Sequence, residues 1–179
     1  MPEAFPKPKK LSLSGGREHA ICMPYYPTAL SSLVNTISAE RALELGVQIL
    51  TNLRKLHSAG FVHCDLKPGN VMLDAEENVH LIDFGLSHSF LDEHGKHLVE
   101  NHVKGFKGTW GFCSLRTTQR LMQTRRDDLE SLLYLICYMI RINLPWIPEH
   151  SKMTHAKKKA FIVHHKKQGT YASVIKLLP

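Results

Sequence analysis

The apolar positions of this chain change period from segment to segment. Over residues 38–58, Leu43, Val47, Leu50, Leu53 and Leu56 recur at helical spacing. Ser38 suits the N-cap, Glu40 the first turn, Lys55 and His57 the last, and Gly60 the exit, so one helix is expected there. From 61 to 84 the pattern shortens. Val71-Met72-Leu73 and Val79-His80-Leu81-Ile82 flank the polar stretch Asp74-Ala75-Glu76-Glu77-Asn78, which predicts two short antiparallel strands around a turn. Residues 87–124 are long, weakly periodic and rich in Gly, Lys and His, the pattern of a functional or mobile loop. A strongly apolar helix is expected over 127–140, closed by Leu144-Pro145-Trp146, and a basic helix over 157–167.

The first 17 residues are rich in Pro, Lys, Ser and Gly and read as a flexible lead-in. Residues 19–25 could form a strand, which Pro24 and Pro27 stop and turn into an extended connector. Residues 1–10 lack an apolar run and do not read as a signal peptide. The longest apolar run, 132–140, falls far short of the roughly 20 residues that span a bilayer. It reads as a buried helix, and no membrane partner is expected.

Composition changes this picture little. The 179 residues are 43% hydrophobic and 22% charged, ordinary for a soluble globular domain. The net charge of +7 favours acidic partners without choosing among phosphorylated protein, nucleic acid or anionic lipid. Cys22, Cys64, Cys113 and Cys137 form no C-x-x-C pair and suit reduced thiols of a cytosolic or nuclear protein. His94, His97 and His102 make a loose cluster in polar, Gly-rich surroundings, better read as a solvated loop than a metal site. The basic run 157–167 reads mainly as a wet helix face. A nucleic-acid module would set aromatics among those lysines, and only Phe161 is there, which argues against nucleic acid. The sequence carries no signature of an oligomeric state.

Chemistry concentrates at the two ends of the proposed hairpin. His63-Cys64-Asp65-Leu66-Lys67-Pro68-Gly69-Asn70 precedes it and Asp83-Phe84-Gly85 follows it. A hairpin folds its ends together, so Asp65, Lys67, Asn70 and Asp83 could converge at one edge. Carboxylates, an amide oxygen and an ammonium in one place suit a hard cation and a phosphate. Taken singly, Asp65, Asn70 and Asp83 could equally be turn residues; their joint spacing favours the site.

These residues resemble the catalytic loop and the D-F-G motif of eukaryotic protein kinases. The resemblance implies ATP and Mg2+ as cofactors and a protein serine or threonine as acceptor. It makes Asp65 the acceptor, or the orienting group, for the substrate hydroxyl proton. It gives Asn70 and Asp83 the magnesium and Lys67 the transferred phosphoryl group. Gly108-Thr109-Trp110-Gly111-Phe112-Cys113-Ser114, then Arg125-Arg126-Asp127-Asp128-Leu129-Glu130-Ser131 and Leu144-Pro145-Trp146, are similar to the casein kinase one group, which includes the tau-tubulin and vaccinia-related kinases. There Thr109 would contact the catalytic aspartate, and Asp128 would hold the catalytic-loop backbone. Cys22-Met23-Pro24-Tyr25-Tyr26 falls at the hinge, with Met23 and Tyr25 as nucleotide-contacting candidates and Met23 the gatekeeper.

The fold so implied is α+β, mostly α: a protein-kinase-like C-lobe with a small antiparallel β-hairpin and the N-lobe largely absent. Residues 1–18 would be a lead-in, 19–27 the last N-lobe strand and hinge, and 28–179 the C-lobe, with the resemblance running from about 19 to 178. No glycine-rich loop or strand lysine is readable ahead of residue 19, so the expectation is a serine/threonine kinase domain with negligible activity in the 179-residue chain alone. The rival reading is a non-catalytic, pseudokinase-type scaffold. Cys64 stands where the family has an arginine before the aspartate, which argues against control by activation-loop phosphate. Gly111 stands where the casein kinase one group has an anion-binding arginine, for which residues 157–159 could substitute.

Overall fold

The computed structural model describes residues 9–12, 19–34, 36–142, 144–147 and 154–168. Strand β1, Lys9–Ser12, pairs antiparallel with β2, His19–Cys22, from Lys9↔Cys22 to Ser12↔His19. This corrects the expectation of a flexible lead-in across 1–18. Backbone pairing needs no apolar pattern, and Lys9, Lys10 and Ser12 carry almost no strand signal. The rest of that segment lies outside the described residues.

After an extended connector come β3, Thr28–Ala29, and the single turn α1, Leu30–Leu33. Helix α2, Ala39–Ser58, starts at an N-cap where the Ser38 hydroxyl accepts from the Arg41 N–H at 3.2 Å. It ends at Gly60, whose φ of +87° reverses the chain. Strand β4, Phe61–Val62, leads through a 3₁₀ turn, Pro68–Asn70, into the hairpin of β5, Val71–Leu73, and β6, Val79–Leu81. Strand β3 pairs with the outer edge of β5, giving a three-stranded sheet β3-β5-β6.

The long loop expected over 87–124 is less bare than its pattern. It holds β7, His88–Ser89, paired with β4, bridges at Leu91↔His97 and His102↔Leu121, and α3, Leu115–Thr118. Helix α4, Arg125–Met139, begins in a capping box in which Asp127 accepts from the Thr124 N–H at 2.7 Å. Helix α5, His155–Lys167, starts from the Thr154 cap. Among the described residues no helix is long and apolar enough to cross a membrane.

The main core lies between α2, α4 and the hairpin, with Leu45, Ile49, Leu53, Leu81 and Leu135 fully buried. Helices α2 and α4 approach closely at Gly46, where a Cβ would meet Ile136 at 2.8 Å. The hairpin is fastened to α2 by polar side chains: Asn52 donates to the Val79 carbonyl at 2.7 Å, and Gln48 accepts from the Val79 N–H at 2.9 Å. The buried face of α2 is not the expected stripe. Leu53 and Leu56 are buried, but Leu43, Val47 and Leu50 are exposed, and Ala42, Leu45, Gly46, Ile49 and Asn52 face the core instead. Leucines stand on both sides of this helix, so periodicity alone does not choose between them.

Candidate active site

The hairpin brings the predicted polar groups together through its register. Val71 pairs with Leu81, and the Ile82 N–H donates to the Asn70 carbonyl at 3.1 Å, so Asn70 and Asp83 leave the sheet at the same end. Asp65 is the centre of the cluster, with its side chain 8% exposed. Its Oδ1 accepts from the Thr109 hydroxyl at 2.7 Å, and its Oδ2 from Lys67 Nζ at 2.6 Å. Asn70 Nδ2 donates to the Asp65 carbonyl at 2.9 Å and to Asp65 Oδ2 at 3.2 Å. One carboxylate thus gathers a hydroxyl, an ammonium and an amide from positions up to 44 residues apart in the chain.

Asp83 is exposed and takes a left-handed backbone, φ +61°, a conformation disfavoured for a non-glycine residue and concentrated at functional sites. Among the described residues its Oδ1 receives only a long contact, 3.4 Å, from the Gly85 N–H. His63 joins the two motifs. It is fully buried, bonds the Ile82 carbonyl through Nε2 at 3.1 Å and packs against Phe84 with ring centroids 5.1 Å apart. Its Nδ1 accepts from the Asp65 N–H, which requires a neutral ring. Burial pushes the His63 imidazole below its ordinary value, against the opposing pull of Asp128, the Ile82 carbonyl, Asp65 and Asp83.

The loop beneath this cluster is held by Asp128 in the first turn of α4. Asp128 Oδ2 accepts from the His63 N–H at 2.8 Å and bonds His57 Nε2 at 2.8 Å; its Oδ1 accepts from the Cys64 N–H at 3.0 Å. The two consecutive peptide N–H groups thus share one carboxylate, and Cys64, at φ +71°, bends the chain directly after them. Gly108 makes the second close approach: its φ is +120°, and a Cβ there would stand 3.1 Å from the Cys64 carbonyl oxygen. Glycine at 108 lets the segment carrying Thr109 lie against the loop carrying Asp65.

The other sequence candidates separate. Met23 and Tyr25 stand on the connector between β2 and β3, 43% and 86% exposed. The neighbouring Tyr26 stacks on His80 at 4.3 Å and ties that connector to the hairpin. His80 in turn bonds Asp74 at 2.8 Å. Desolvation raises the Asp74 carboxyl, but bonds from His80 and Asn78 outweigh it and hold the group down at about 2. His94, His97 and His102 do not gather; His97 packs on Phe90 and bonds the Leu98 carbonyl. Among the described residues no three His, Cys, Asp or Glu side chains form a metal cage.

Cys64 is buried, with its sulfur 3.4 Å from His88 Nδ1, while His88 Nε2 bonds the Gln123 carbonyl at 3.1 Å. Burial pushes its thiol well up, and pushes the Cys113 thiol up to about 11, which disfavours the thiolate at both. Gly111 gives its carbonyl to Trp146 Nε1 at 2.9 Å. Of the suggested substitutes for an arginine there, Lys157 is exposed and Lys159 lies 5.8 Å over the Trp110 ring. The basic helix is not uniformly wet: Lys166 is 2% exposed. The signal for it was available, because Ile162 and Lys166 lie four residues apart on one face and Ile162 is buried too. Glu130, quoted only as part of a motif, also has a task. Its Oε1 accepts from the Leu115 N–H at 2.8 Å and the Tyr134 hydroxyl at 2.6 Å.

Comparison with known proteins gives the family. Residues 12–175 match the protein kinase domain family, and the chain belongs to that family. The match begins inside β1, so it is not confined to the C-lobe segment expected from residue 28. Over 103 residues the chain is 38% identical to a protein described as a probable casein kinase I homolog from Encephalitozoon cuniculi. The alignment covers 58% of this chain and 32% of that relative, so the chain spans about a third of the relative it matches.

Proposed function

We propose that this kinase domain transfers the γ-phosphate of ATP, with Mg2+, to serine or threonine hydroxyls of protein substrates, in the manner of the casein kinase one group. The observation that carries the reading is the hydrogen-bonded set on Asp65: Thr109 on one oxygen, Lys67 and Asn70 on the other. In the transfer, an oxygen–phosphorus bond forms from the acceptor hydroxyl and the bond to the leaving diphosphate oxygen breaks. The hydroxyl proton passes to Asp65. Thr109 and Asn70 orient the carboxylate, and Lys67, with its side chain 31% exposed, can swing from Asp65 to the transferred group. A lysine two places after the aspartate supports serine or threonine over tyrosine as acceptor.

The donor chemistry fits magnesium. The Asn70 amide nitrogen is committed to Asp65, which leaves its oxygen for a ligand, and Asp83 offers an exposed carboxylate with one weak internal contact. Magnesium takes few protein oxygens and keeps its waters, so this pair would hold it. When bound, the ion supplies charge neutralisation at the phosphates. Met23 and Tyr25 would line the nucleotide's adenine end from the connector.

The test is magnesium-dependent nucleotide binding by thermal shift, paired with phosphate transfer to an acidic protein substrate. Binding lost in Asp83→Ala and transfer lost in Asp65→Asn are expected. Binding without transfer in the unsubstituted chain would favour the scaffold instead, and absence of both would refute the proposal.

A further inference from the structure

Lys166 is an ammonium where a helix face should be wet. It reaches from α5 into the turn that follows Thr109. Its Nζ donates to the Cys113 carbonyl and, at 3.3 Å, to the Trp110 carbonyl. The Tyr134 and Trp146 rings close over it, with centroids 4.7 and 5.3 Å from the nitrogen. Trp146 holds the carbonyl between those two, that of Gly111. The turn itself is closed by the Phe112 and Cys113 N–H groups on the Thr109 carbonyl, at 3.0 and 2.8 Å. Its far end is held by Glu130 at Leu115, and by Ser114, which donates to Asp127 at 2.6 Å.

A desolvated lysine is costly to a fold unless its protons are satisfied. Burial indeed pushes this ammonium below its ordinary value, with Cys113 and Glu130 pulling the other way. Two carbonyls and two aromatic faces offset that cost, and among the described residues no carboxylate touches the nitrogen. The charge is therefore spent on fixing the direction of peptide groups. Those peptides set where the Thr109 hydroxyl stands, and that hydroxyl is 2.7 Å from Asp65.

We propose that Lys166 is a positioning residue for the active site: its buried ammonium locks the turn 109–113 and thereby holds the Thr109 hydroxyl on Asp65. The inference deepens the kinase reading and rests on it for the role of Asp65. It extends the functional machinery to α5, a helix that carries no residue of the motifs.

The test uses the full 179-residue chain. Lys166→Met removes the charge at nearly constant length. The side-chain carboxyl carbon resonance of Asp65 is expected to move in the direction that Thr109→Val moves it. Amide exchange at 109–113 is expected to quicken about tenfold while α2 amides keep their rates. Lys166→Gln keeps a donor for the carbonyls, is expected to show the same displacement at smaller size, and serves where Lys166→Met does not fold. Phosphate transfer should lose about tenfold in kcat with nucleotide KM unmoved, within the cost of a misplaced supporting group. An Asp65 resonance that stays in place in these variants while Thr109→Val moves it would overturn the proposal. So would exchange that quickens equally in α2, which would make Lys166 an anchor of the fold only. A chain that transfers no phosphate refutes the proposed function, and the resonance still judges Lys166.

Discussion

Asp65 and Asp128 are both buried aspartates in hydrogen-bond contact with the same short loop, yet their partners differ in kind. Asp128 takes two peptide N–H groups and a histidine, all fixed by the backbone or by α2. Asp65 takes a hydroxyl, an ammonium and an amide, all on side chains that can rotate. The first arrangement has no useful alternative and holds the loop. The second has partners that can turn away, as the proposed transfer requires. Carboxylate burial therefore does not separate the loop-holding aspartate from the one proposed to take the substrate proton; the mobility of their partners does.

That contrast can be broken by substitution. Asp128→Ala leaves two buried N–H groups without an acceptor and strands His57. It should cost about 3–5 kcal/mol in urea-induced unfolding, the range for removing one partner of a buried charged set. Asp65→Asn should change stability by about 1 kcal/mol or less, since Lys67 can rehydrate, while abolishing transfer. Equal stability losses in the two variants would erase the distinction.

Acidity sharpens it further. His63 is held neutral by burial, so below its unfolded value of about 6.5 the unfolded chain binds a proton that the folded one refuses, and stability should fall as pH drops through that region. His63→Gln should lose part of that slope in unfolding midpoints measured from pH 7 to 5. The smallest effect is expected at the hairpin tip. Asp74 has a depressed value, so its contribution is complete above about 4 and lost as pH falls toward about 2. Asp74→Asn should flatten that lower window and leave the upper one alone.

Much of the candidate site's geometry was legible because its residues are set by short spacing along the chain. The segment 63–70 and the triplet at 83–85 announce themselves, and the hairpin between them follows from strand pattern and turn residues. Helix α2 was legible from its caps, Ser38 and Gly60. Its buried face was not, because Leu43, Val47 and Leu50 make as good a stripe as the true one. Strand β1 was missed since polar residues pair through their backbones without leaving a pattern. Lys166 was read as solvated because the basic run outweighed its i, i+4 spacing from the apolar Ile162, and nothing in that spacing tells that its partners are carbonyls 53 and 56 residues away.

The sequence by itself determined which polar groups the candidate site gathers, those of 65, 67, 70 and 109 with 83 leaving the sheet beside them, and the local bends that present them. Only the tertiary structure decided how they are held, through α4 supplying Asp128 beneath the loop and α5 sending Lys166 into the turn behind Thr109. The reason is range. Turns, caps and strand alternation act over a few residues and leave a periodic trace, whereas a buried charge finds its partners across the folded core, where spacing along the chain carries no information.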